Sequence, residues 1–209
     1  MSSHPIPRRA FLVVPAAVLV SPRARAAEDV LARIVQARAA LRTLRASFTQ
    51  ERTLGLLAST VTSRGELILV RPDRLRWHLD PPDQITYWVT PGGLAYATAT
   101  SHGGVPRDAA GAMGVILQDM LAMLGGDVTG LRERYGIAAD KRDDGATRLT
   151  IEPRDPQVAK RVRRIVVELD PDLVSPREIV LEESDTDSAR IRFADVQRNV
   201  PVDPALMRP

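Results

Sequence analysis

The chain has no cysteine, only three histidines, and an aromatic content of 4% over its 209 residues. Without cysteine there is no disulfide framework, so a fold in an oxidising compartment would rest on its core alone. Nor is there a lipobox cysteine, so this sequence cannot itself carry a conventional lipid anchor. His4 lies near the start of the chain, leaving His78 and His102 for the folded part. Neither has a partner at ligand spacing, which argues against a zinc site. No Gly-x-Ser-x-Gly elbow occurs, so Ser101-His102-Gly103-Gly104 reads as a polar loop rather than hydrolase machinery. No phosphate-cradling glycine loop opens a helix either. No catalytic role and no cofactor is expected.

Acidic residues are missing from residues 1–26, which hold Arg8, Arg9, Arg23 and Arg25. This imbalance explains the pI near 9.8. Setting those four arginines aside leaves 25 basic residues against 26 acidic ones. A nucleic-acid binder needs its excess of cations on the folded domain, so nucleic acid is not an expected partner. The basic pair, the apolar Ala10–Val20 stretch and Ala24-Arg25-Ala26 together read as a signal peptide cleaved after Ala26. The apolar stretch is shorter than the roughly 20 residues needed to cross a bilayer. Arg8-Arg9-Ala10-Phe11-Leu12 is similar to the twin-arginine pattern, but Pro7 and Val13 stand where a hydroxyl and a lysine are usual. Both export routes stay open. Residues 27–209 are expected to form one domain, since 44% hydrophobic content at this length suffices for a single core.

Along that domain, Leu31, Ile34, Val35, Leu41 and Leu44 recur at helical spacing, predicting a helix over 28–44 with Phe48 at the same phase. From Thr60 the period becomes two. Strands are predicted at 63–71, 74–79, 84–90 and 94–98, with turns at Pro72-Asp73 and Pro91-Gly92-Gly93. Residues 100–112 read as a glycine-rich loop. Met113, Ile116, Leu117, Met120, Leu121 and Leu124 then share one face of a second helix, stopped by Gly125-Gly126. Five more strands follow, at 136–140, 148–152, 162–170, 177–183 and 189–196. The sum is an α+β domain: one antiparallel sheet of many strands, with two or three helices to cover a face.

The order of motifs is similar to the LolA family of periplasmic lipoprotein carriers, over nearly all of residues 28–200. Ser47-Phe48-Thr49-Gln50 follows the first helix, then Gly65-x-Leu67, Arg71-Pro72, Leu75, Trp77, Pro82, Gly92-Gly93-Leu94-x-Tyr96 and Pro153. The resemblance implies an incomplete antiparallel β-barrel closed by helices around a hydrophobic cavity. It implies a soluble monomeric carrier that takes lipoprotein acyl chains from an inner-membrane ABC transporter to an outer-membrane receptor lipoprotein. The acyl-chain cavity then falls to Leu67, Leu69, Leu75, Trp77, Tyr87, Ile116, Met120 and Leu124. Arg71 matches the arginine that holds the helical lid shut through main-chain carbonyls. The sequence departs from the family at its end, where Ala205-Leu206-Met207-Arg208-Pro209 replaces the usual Phe-x-Phe before proline. That departure and the scarcity of aromatics leave a second reading open, a carrier for another lipid or lipid-linked molecule. A third reading, an envelope-stress sensor, would call for a further domain.

Overall fold

The computed structural model describes residues 22–55, 59–106, 111–125 and 129–209. Most of the predicted signal segment lies outside them, as does part of the 100–112 segment. Eleven strands form one antiparallel sheet in the order β6-β5-β4-β3-β2-β1-β11-β10-β9-β8-β7. Two meanders compose it. β1 (Thr43–Leu54), β2 (Ser59–Val70), β3 (Arg74–Leu79), β4 (Ile85–Thr90), β5 (Gly93–Ala97) and β6 (His102–Pro106) make the first. β7 (Tyr135–Lys141), β8 (Thr147–Pro153), β9 (Arg164–Leu169), β10 (Pro176–Glu182) and β11 (Ser188–Arg198) make the second. The last strand pairs with the first, Phe48 standing opposite Phe193, so the two meanders share one sheet that stays open at β6 and β7.

Four helices occur among the described residues: α1 (Pro22–Ala37), α2 (Gly111–Gly125), α3 (Thr129–Arg134) and α4 (Pro156–Ala159). Leu31 and Ile34 of α1, and Leu117, Met120, Met123 and Leu124 of α2, share one buried cluster with the inward residues of the strands. None of these helices is long and apolar enough to cross a membrane.

The opposite sheet face carries cross-strand ion pairs such as Arg76–Glu66 at 3.1 Å and Arg190–Glu178 at 2.7 Å. Cross-strand pairs of this kind contribute about 0.2–1 kcal/mol each, so their main effect is to fix strand register. A short 3-10 helix, Pro204–Met207, lies against β3 on this face, with Met207 buried and the Trp88 indole donating to the Leu206 carbonyl at 2.8 Å.

Two expectations are corrected. The first helix ends at Ala37, and Leu44, Ala46 and Phe48 bury alternate positions of β1 instead of extending a helical stripe. After Ala37 the chain turns at residues 38–40, and β1 finds backbone partners on both sides, in β2 and β11. The segment assigned to a loop contains β6, which pairs with β5. Its glycines suit that pairing. The position of a Cβ on Gly103 lies 3.1 Å from the Tyr96 ring, so the bare backbone leaves room for the aromatic across the strand.

Candidate functional site

The chemistry of the inner face is apolar contact, ordered by a few buried polar groups. Phe48 and Trp77 stack with centroids 3.9 Å apart, and Phe193 meets both edge-on at 6.4 Å. Gly65 makes this stack possible. A Cβ there would lie 1.9 Å from the His78 carbonyl oxygen and 2.7 Å from Cζ of Phe48. The glycine before Leu67 is therefore required by the close approach of Phe48 to the sheet.

Above this floor runs an apolar groove of about 160 Å³. Trp77, Leu79 and Tyr87 form one wall, Leu181, Ala189 and Ile191 the other, and Leu117 and Met120 of α2 lean over it. Its polar rim is Gln50 together with Arg52, which donates to both carboxylate oxygens of Glu183 at 3.1 Å. Tyr87 titrates above its ordinary value, because burial disfavours the phenolate and Asp83 is nearby.

One turn further along α2 the space closes. Between α1, α2, α3 and the β7–β10 strands only about 10 Å³ remains, room for a single water at most. Met123 and Leu124 of α2 face Leu31 and Ile34 there, over Leu149, Ile151 and Ile179. Ile179 borders the filled space and Leu181, two residues on, borders the groove. Helix α2 thus roofs an open compartment with its middle and a filled one with its C-terminal turn.

Polar ties hold that turn down. Arg38 is 1% exposed yet has no carboxylate at ion-pair distance among the described residues. Its guanidinium donates instead to three main-chain carbonyls: Met123 in α2, Leu173 at 3.0 Å and Val174 at 3.3 Å. Burial lowers its pKa to about 10, with Asp172 opposing and Arg71 reinforcing the shift. The carbonyls it meets are shaped for it. Leu173 is left-handed (φ 61°), and Asp172 accepts from the Val174 and Ser175 amides at 2.8 Å, fixing the turn that presents them. The partial negative charge at a helix C-terminus adds to the attraction at Met123.

A second tie lies on the adjacent side of α2. Asp119, 1% exposed, accepts from the Tyr135 hydroxyl and from Arg134. Burial raises the Asp119 pKa, and the bonds from Tyr135 and Arg134 oppose that rise.

The predicted site residues divide accordingly. Trp77, Tyr87 and Met120 line the groove. Leu67, Leu69 and Leu75 are fully buried in the core beneath it. Leu124 faces the filled space. Ile116 lies on α2, but its side chain falls outside the described residues. Arg71 is half-buried and donates to the carbonyls of Arg38 at 2.6 Å and Leu41 at 3.3 Å. Its acceptors lie in the turn after α1, and it lines a separate cleft with Gln118, Leu121 and Ala122 of α2. Sequence reasoning missed Arg38, Asp119 and the β10–β11 wall. The acceptors of Arg38 lie 85 to 136 residues along the chain, so its local sequence does not mark it.

Residues 39–87 match the family of the outer membrane lipoprotein carrier protein LolA. No curated protein matches the sequence. The fold is similar to that of a DUF1329 family protein from Desulfovibrio piger, with a TM-score of 0.53 at 10% identity, covering 90% of this chain and 98% of that one. An uncharacterised conserved protein from Thermus thermophilus gives 0.52 at 10% identity, with 88% and 94% covered. MucB of Pseudomonas aeruginosa, in its complex with MucA, gives 0.51 at 16% identity, with 88% of this chain and 61% of that one covered. At these identities the likeness is one of fold.

Proposed function

From the match of residues 39–87 to the LolA family, we propose that the chain is a periplasmic carrier that shelters a lipoprotein acyl chain beneath α2. The observation that carries this reading is the groove itself: an apolar trough walled by Trp77, Tyr87, Leu181 and Ile191 and roofed by Leu117 and Met120. Its surface is suited to an aliphatic chain, which offers no polar group to pair. Met120 can repack around chains of different shape, since methionine is unbranched and flexible. The helices serve as the lid of an incomplete barrel.

Residues 1–26 are the export signal in this account. Loading comes from the inner-membrane ABC transporter that releases lipoproteins, and delivery goes to an outer-membrane receptor lipoprotein. The carrier works as a monomer, without a cofactor and without catalysis.

Energetics favour partial shelter. Each buried methylene contributes about 0.8 kcal/mol, so a chain of about fourteen, wholly enclosed, would gain on the order of 11 kcal/mol and leave slowly. A groove of about 160 Å³ is smaller than the roughly 300–1,000 Å³ of ordinary ligand pockets, so it encloses only part of such a chain. Affinity stays modest, and a receptor with a better cavity can take the cargo.

The test is release. The purified protein is added to spheroplasts synthesising lipoproteins, and the supernatant is probed for soluble one-to-one complexes. Complexes that pass their lipoprotein to outer-membrane vesicles support the reading. A clean supernatant with folded protein overturns it.

A further inference from the structure

We propose that Arg38 is a specificity-determining residue that sets how long an acyl chain the site admits. The inference rests on the acyl-binding reading above. A chain entering between Trp77 and Met120 and running along α2 meets the filled compartment at Met123 and Leu124. Going further means lifting the C-terminal turn of α2 off Leu31 and Ile34. That movement pulls the Met123 carbonyl away from the Arg38 guanidinium.

Lifting the turn is costly because of where Arg38 sits. It is buried among leucines and isoleucines, its hydrogen bonds go to main-chain carbonyls, and Asp172 supports its charge at longer range. Losing the Met123 acceptor leaves one arm of a buried cation unpaired, a far larger penalty than losing an exposed hydrogen bond. Short chains never disturb it. Longer chains gain apolar contact only by breaking it, so affinity should stop rising at the length where the chain tip reaches Met123. Arg71 acts one step back, holding the carbonyls of the turn that carries Arg38.

The experiment measures binding of saturated fatty acids from octanoate to stearate by the emission of Trp77, in a Trp88→Phe background that leaves Trp77 as the one tryptophan. With the native arginine, each added methylene should tighten binding about fourfold until a break point, then no further. In Arg38→Met the fourfold steps should continue past that point, and Arg38→Lys should fall between. A break point that stays put in Arg38→Met, while both proteins bind, overturns the gate and leaves the acyl-binding reading standing. No binding at any length overturns both.

Should Arg38→Met not fold, amide exchange in the unmutated protein decides. Stearate should speed exchange at residues 121–125 while octanoate does not, and equal effects of the two chains overturn the proposal.

Discussion

The Arg71 guanidinium donates to the main-chain carbonyl of Arg38 at 2.6 Å, so one arginine fixes the backbone from which the other reaches into the core. Arg71→Leu should therefore loosen α2 by way of Arg38. Two hydrogen bonds from a half-buried cation are lost, a destabilisation of about 1–3 kcal/mol measurable by urea unfolding. The variant should still load cargo and should fail to pass it on, because a loosened lid no longer opposes binding. Transfer to outer-membrane vesicles at the unmutated rate would contradict the positioning role.

Gly65→Ala should destabilise by about 3 kcal/mol, as overpacking against a rigid neighbour does. The added methyl meets the His78 carbonyl oxygen, which cannot move without breaking the β2–β3 ladder, and the Phe48 ring. Thermal unfolding measures it. A loss below about 1 kcal/mol would show that both the His78 backbone and the Phe48 ring give way freely.

The two tryptophans report on opposite faces. Trp77 lines the groove, whereas Trp88 donates to the Leu206 carbonyl on the far side of the sheet. Adding a fatty acid should shift the emission of Trp88→Phe and leave that of Trp77→Phe unchanged. Equal responses from both variants would place the ligand away from the groove.

Asp119 gives the lid a pH dependence whose sign follows from its raised pKa. A carboxylic acid with a raised folded pKa stabilises the fold most below its unfolded value, near 3.9, and loses that contribution as pH rises through the folded value. Burial favours the protonated form, while Tyr135 and Arg134 hold the charged one in place. Asp155 faces Tyr135 as well and adds to the negative field there. Unfolding free energy relative to Asp119→Asn should therefore fall as pH rises above about 3.9. A difference that grows with pH instead would mean that Arg134 and Tyr135 outweigh the desolvation.

Much of the sheet was legible because its residues alternate cleanly. Leu75 and Trp77 against Arg74 and Arg76 mark β3 to the residue, and the 148–152 and 189–196 segments fall within β8 and β11. β1 was less legible, since Leu44 and Phe48 fit helical and strand spacing equally well and only pairing with β2 and β11 decides between them. β6 was hidden because glycine carries no hydrophobic signal, although Gly103 is what fits against Tyr96. In the groove, Trp77, Tyr87 and Met120 could be named through the family resemblance. Arg38 could not, because three carbonyls from α2 and the β9–β10 turn converge on it only after folding. Main-chain acceptors leave no trace in a sequence.

The central claim is that an acyl chain lies in the groove beneath α2, and photocrosslinking tests it most directly. A palmitic acid bearing a diazirine near its tail would be bound, irradiated and mapped by peptide mass spectrometry. The account predicts adducts on Leu117 and Met120 and on the facing Leu181 or Ile191. Adducts confined to the ion-paired outer face, or none above the level of denatured protein, would contradict it.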